Sequence, residues 1–218
     1  MFEALALLGE VMSNYIDPSK FSDFLDDQRG ERGISEFIKE NPEALYWTFC
    51  RVSGHCRFLF REFPLGSQYI ADYVILNSYS GVWEVMFIEL EPVDDPVFNK
   101  SGTPSKRLAG AIKQVDDWTE YFDMHKDQVR ADLVKWAKTK DLLKYSDTDH
   151  ISNQSGDYLA DPSSYLKDSY HIIMGRRNKL SREQHKRKAS YHARRKIEIM
   201  SYDRIKDLID VRYKNKEP

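Results

Sequence analysis

The chain has 218 residues, 41% of them hydrophobic and 31% charged, with a formal net charge of −2, an ordinary composition for a soluble globular protein. No apolar run approaches the roughly 20 residues that span a bilayer, and the two cysteines, Cys50 and Cys56, form neither a zinc-ligand repeat nor a disulfide framework. One domain, with or without an appendage, is therefore expected. The apolar start Met1 to Leu8 lacks a basic leader and reads as helix rather than signal peptide, so the expected location is cytoplasmic. Charge is unevenly spread: from Gly175 onward there are 15 Lys or Arg against 6 Asp or Glu, a net of +9 that leaves −11 for the rest. A basic end on an acidic body favours contact with a polyanion.

In chain order, Phe2, Leu5, Leu8 and Met12 recur at helical spacing, and Asp17-Pro18 ends that helix. Residues 28–33 read as a loop. Helix resumes at Ile34, breaks at Asn41-Pro42 and continues from Glu43 to Phe49 at a new angle. Cys56 to Phe63 alternates as a strand stopped by Pro64 and Gly66. Ile70 to Leu76 and Trp83 to Glu91 are rich in β-branched and aromatic residues, and Asn77 to Gly81 joins them as a hairpin. Thr103-Pro104 is the expected cap of a long helix whose buried stripe is Leu108, Ala111, Ile112, Val115, Trp118 and Phe122. Helix is expected again over 127–145. A Ser-, Asp-, Asn- and Gly-rich stretch over about 146–168 reads as a surface insertion. Tyr170 to Met174 is a short buried strand. Ser181 with Gln184 forms a capping box for a basic helix to about Arg195, then come a strand at Ile197 to Met200 and a last helix from Tyr202 to Arg212.

The two middle strands carry acids where apolar residues are expected. Strand alternation points Glu89 and Glu91 the same way, their Cα atoms about 6.5 to 7 Å apart, and puts Asp72 on the face of Ile70 and Val74. Such acids can form a solvated face. Half-buried together they would repel one another and lose hydration, and a divalent cation with oxygen ligands would compensate. Glu40 and Glu43 are fourth-ligand candidates or exposed helix acids. Gln114 lies on the edge of the long helix, placed to face either the strands or water.

Helices, a three-strand meander with acids, a long helix, then strand, helix, strand, helix is the α-β-β-β-α-β order of the PD-(D/E)xK nuclease core. The segments Phe37-Ile38-Lys39-Glu40-Asn41-Pro42, Ala71-Asp72-Tyr73-Val74, Ile88-Glu89-Leu90-Glu91-Pro92, Ala111-Ile112-Lys113-Gln114-Val115-Asp116-Asp117-Trp118 and Ile172-Ile173-Met174-Gly175-Arg176-Arg177, ahead of Ser201-Tyr202-Asp203, resemble the Shedu family of bacterial anti-phage nucleases. The resemblance covers about residues 34–210. It implies an α/β (α+β) restriction-endonuclease-like fold with a mixed central sheet flanked by helices. In domain terms this gives an N-terminal helical extension at 1–33, the nuclease-like domain at 34–212 with its insertion, and a tail at 213–218.

The same resemblance implies an Mg2+- or Mn2+-dependent endonuclease acting on DNA, with RNA left open. Asp72 and Glu89 match the family's metal-binding acids, and Gln114 matches a glutamine after the third strand. Glu91 stands where the motif usually has lysine. It can add a metal ligand or serve as the base that activates water, with Lys100, Lys106 or Lys113 supplying positive charge; or it marks a degenerate nuclease that only binds nucleic acid or serves as an interaction subunit of a defence complex. The expected set is thus Asp72, Glu89, Glu91 and Gln114 for catalysis, the three acids for metal. Arg176, Arg177, Lys179, Arg182, Lys186, Arg187, Lys188, Arg194 and Arg195 form either a solvated basic run or the nucleic-acid contact, which would be made to the backbone with little base reading. A homo-oligomer or a defence-complex partner is compatible with the family.

Overall fold

The computed structural model describes residues 16–27, 30–49, 57–139, 143–144 and 151–214; the helix expected over residues 2–15 and both cysteines lie outside that set. Three helices come first: α1 (Pro18–Asp26), capped by Asp17, α2 (Glu31–Glu40) and α3 (Glu43–Phe49). Helix α2 starts three residues before Ile34, inside the stretch expected as loop, because Gly30 adopts the extended N-cap conformation and accepts the first helical bond from Ile34 N.

The meander follows as β1 (Arg57–Leu65), β2 (Tyr69–Tyr79) and β3 (Val82–Leu90). Strands β2 and β3 pair as far as Tyr79 and Val82, so their connection shrinks to Ser80-Gly81. Both have positive φ, 44° and 78°, as a tight hairpin turn that matches strand twist requires. β1 runs on through Pro64, which pairs with Ile70. Proline is tolerated because the other neighbour of β1, the two-residue β4 (Leu143–Lys144), reaches only Phe58 and Leu59. Leu143 and Lys144 are thus strand, not the end of a helix.

Helix α4 spans Lys106–Thr139 with a kink at His125. Its cap is Ser105, whose Oγ accepts from Leu108 N at 3.2 Å. Thr103 and Pro104 instead close a small loop, Pro104 bridging to Phe98 and Thr103 O accepting from Asn99 N. Strand β5 (Leu166–Ile173) begins four residues before Tyr170. The segment before it is pinned: Ile151 and Leu159 are buried, and buried Arg130 donates to Leu159 O and Ser164 O at 2.9 and 2.8 Å. Helix α5 (Arg182–Arg195) carries the expected Ser181–Gln184 capping box, and β6 (Ile197–Met200) and α6 (Tyr202–Lys214) complete the order.

The six strands form one mixed sheet in the order β4-β1-β2-β3-β5-β6, antiparallel through the meander and parallel from β3 to β5 and β6. One face packs Phe58, Phe60, Val74, Val85 and Phe87 against α4 through Trp118 and Phe122. The other packs Leu59, Tyr73, Ile75, Ile88 and Leu90 against α1, α2, α3 and α6. The fold is therefore mixed α/β with helices on both sides of the sheet, the architecture that the resemblance implies.

Candidate active site

The last pair of the β2–β3 ladder is Tyr73 with Ile88. One step further the same register sets Asp72 opposite Glu89, but no ladder pair forms there: β3 leaves β2 and remains paired with β5, Glu91 N donating to Ile173 O at 2.9 Å. Asp72 fills the gap, its Oδ2 accepting from Leu90 N at 2.8 Å. Strand phase breaks at the same place, because Ala71 and Val74 share one core while Tyr73 lies in the other. Opposite, Glu62 has a positive φ of 54°. Simple alternation from Ile70 to Val74 therefore does not hold across Asp72.

Glu89 and Glu91 follow the expected phase. Glu89 is turned to α4, where Gln114 Nε2 donates to its Oε2 at 3.0 Å; Gln114 thus faces the strands. Both glutamates are buried, and Glu91 Oε2 has no hydrogen-bond partner. Asp72 lines a cavity of about 440 Å³ with Glu31, Ser35, Glu36, Arg61 and Leu90. Gln114 lines a separate hollow of about 490 Å³ with Tyr69, Ile70 and Lys113.

Burial pushes the Asp72 carboxyl well above the usual range; the Leu90 N–H opposes this, and Glu31 and Glu62 add to it. Glu89 is raised further, first by burial, then by Asp72, Glu91 and Glu31, with Gln114 opposing. Glu91 is pushed up to about 7 by burial and by Glu31, against the pull of Arg107. Glu31, Asp72, Glu89 and Glu91 therefore form one electrostatic group. Among the described residues, no three His, Cys, Asp or Glu side chains converge as a ready-made metal cage.

Glu31 and Arg107 are the residues that sequence reasoning missed. Glu31, in the first turn of α2, sat in a charged, glycine-flanked stretch with no sign of its distant partners. Glu40 is exposed, and Glu43 is buried in α3. Among the described residues, the cation paired with Glu31 and Glu91 is Arg107 rather than Lys100, Lys106 or Lys113: its guanidinium lies 3.5 Å from Glu31, 3.5 Å from Asp95 and 4.0 Å from Glu91, while Arg61 acts on Asp72. Lys113 instead lies 4.0 Å from Asp117.

The basic residues separate into two groups. Arg176 is drawn into the fold, bonded to Asp26, Asp203 and Leu25 O. Arg177 pairs with Asp207 at 2.6 Å, Lys179 with Asp94 at 3.8 Å and Arg195 with Asp116 at 2.8 Å. Arg182, Lys186 and Arg194 are exposed and make no ion pair among the described residues. Burial, then Arg177 and Arg204, holds the Lys188 ammonium below its usual value. Arg187 donates to Gly102 O at 2.7 Å and packs where a side chain on Gly102 (φ 81°) would sit. With Tyr191, Arg194 and Arg195 it lines a groove of about 320 Å³ along Phe98 and residues 102–104.

A mixed sheet whose antiparallel hairpin sets an Asp across from a Glu, backed by a helix that lends a Gln, defines an α+β nuclease-like core. The chain belongs to the Shedu family, for the family profile described as Shedu protein SduA, C-terminal, matches residues 28–205. With that membership goes a role in anti-phage defence. No curated protein matches the chain. No helix among the described residues is long and apolar enough to cross a membrane.

Proposed function

We propose that this protein is a cytoplasmic, Mg2+- or Mn2+-dependent nuclease that hydrolyses DNA phosphodiester bonds in anti-phage defence. The observation that carries the reading is the buried acid group at the end of the β2–β3 ladder, where Glu91 Oε2 is shielded from water, makes no hydrogen bond and has the Arg107 guanidinium 4.0 Å away as its counter-charge. A buried carboxylate oxygen without a hydrogen bond and with one distant monovalent counter-charge is costly to keep ionised, and hard carboxylate donors suit Mg2+ and Mn2+. Asp72, Glu89 and Glu91 would hold the ion, with Gln114 orienting Glu89. A bound divalent ion supplies charge neutralisation at the phosphate and a more acidic water. If Glu91 is left off the ion, its carboxyl, pushed up to about 7 in the metal-free chain, would instead serve as the base that takes a proton from the attacking water. The exposed side of α5, from Arg182 to Arg194 with Arg187 and Arg195 beside residues 102–104, offers phosphate contacts without base reading.

A second reading is favoured by Glu91 itself, which stands in place of the motif lysine, and by the lack, among the described residues, of a preformed three-ligand cage. On that reading the protein binds nucleic acid, or a defence-complex partner, without cleaving. Plasmid nicking in Mg2+ and in Mn2+ separates the two. Wild type is expected to nick, Asp72→Asn and Glu89→Gln to be inactive, Glu91→Gln to be slowed, and Glu91→Lys to keep or gain activity. An inert wild type in both metals, with nicking gained in Glu91→Lys, would leave the binding reading standing.

A further inference from the structure

Arg107 is the one cationic side chain that the described residues place within 4.0 Å of a carboxylate of the acid group. It reaches acids on three segments, Glu31 of α2, Glu91 beyond β3 and Asp95 of the following loop. Helix stability does not explain the position. Arg107 is the second residue of α4, where the helix dipole disfavours positive charge. Nor is the side chain locked in place: it is 57% exposed, whereas Glu91 beneath it is 9% exposed. A guanidinium is a monovalent substitute for a divalent ion, and its long stem can leave the acids without disturbing the backbone.

We propose that Arg107 is a built-in, displaceable counter-cation, which neutralises the acid group while no metal is bound and must be turned out when a divalent ion enters. The inference rests on the nuclease reading above. Once released, the planar fork matches a phosphate, which it can grip through two parallel N–H donors. The same side chain therefore opposes metal binding and favours the binding of a DNA strand. A residue that merely supported the fold would weaken both.

Two titrations test this with the intact chain: Mn2+ alone by calorimetry, and a short DNA duplex in Ca2+ by fluorescence anisotropy. Arg107→Gln should bind Mn2+ about tenfold more tightly than wild type, the scale set by losing a few partly exposed ion pairs, and should bind the duplex more weakly. Arg107→Lys keeps the charge and should stay close to wild type for Mn2+, as should Lys206→Gln, whose pair with Asp210 lies on α6. Melting temperatures confirm that each variant is folded. Unchanged or weaker Mn2+ binding by Arg107→Gln overturns the inference and leaves the metal site intact. Equal tightening in Arg107→Lys also overturns it, because charge would not be the cause. If neither wild type nor Arg107→Gln binds Mn2+, the metal reading falls, and this inference falls with it.

Discussion

Glu91 couples the acid group to pH. Its carboxyl is raised from 4.5 to about 7 in the folded chain, so between those values the folded state holds a proton that the unfolded state has released. Stability from this group is complete below about 4.5 and is lost as pH rises through about 7. In EDTA, the unfolding free energy should therefore fall from pH 5 to pH 8, by an amount on the order of 1–3 kcal/mol, with a matching drop in melting temperature. Glu91→Gln should make that fall shallower, leaving the share of Asp72 and Glu89, which are raised in the same direction, and Mg2+ should oppose it by binding the ionised form. A wild-type curve unaffected by Mg2+ would argue against a cation at these acids. Asp72 does two jobs that substitution can separate. Asp72→Asn keeps an oxygen for Leu90 N–H and should fold normally while losing metal. Asp72→Ala strands that N–H and should cost about 1–3 kcal/mol in denaturant titrations.

Among the elements, α5 stands apart because none of its residues is fully buried, Lys188 being half-buried. Its persistence depends on the Ser181–Gln184 box at one end and the left-handed Lys196 (φ 59°) at the other. Ser181→Ala should remove about 1 kcal/mol of local stability, read as faster amide exchange in α5 with little change in α4. Reversing the charges of Arg187 and Arg194 should weaken DNA binding similarly for all sequences and flatten its salt dependence, since phosphate contacts release counterions. An unchanged salt slope would place the contact elsewhere. This helix was fully legible in the sequence because its cap, its charge and its end are all local signals. The β2–β3 hairpin was legible for the same reason, and so were its acids. Glu31, Arg107, the phase break at Asp72 and the pairing of Leu143 were not, since each depends on a partner far along the chain. Pro64 misled because a proline stops a strand only where its N–H is needed.

The whole molecule is held by a sheet with a core on each face, so damage at the centre should spread to the site. Phe87 lies between Trp118, Phe122 and Tyr170, with ring centroids 6.5, 5.9 and 5.5 Å away. Phe87→Ala should cost about 3–5 kcal/mol, a large part of the roughly 5–15 kcal/mol that such domains possess, visible in chemical denaturation. The rim of β1 beyond β4 has a different consequence, for the behaviour of many copies in solution. From Arg61 to Leu65 the strand is paired on one side only among the described residues, and an unsatisfied edge can recruit the edge of another molecule. Pro64 has no N–H to offer, and the turned, charged Glu62 spoils the flat row that a neighbour would need. A chain carrying Glu62→Thr and Pro64→Val would present a smoother edge, and light scattering should then show association that grows with concentration and exceeds that of the wild-type chain.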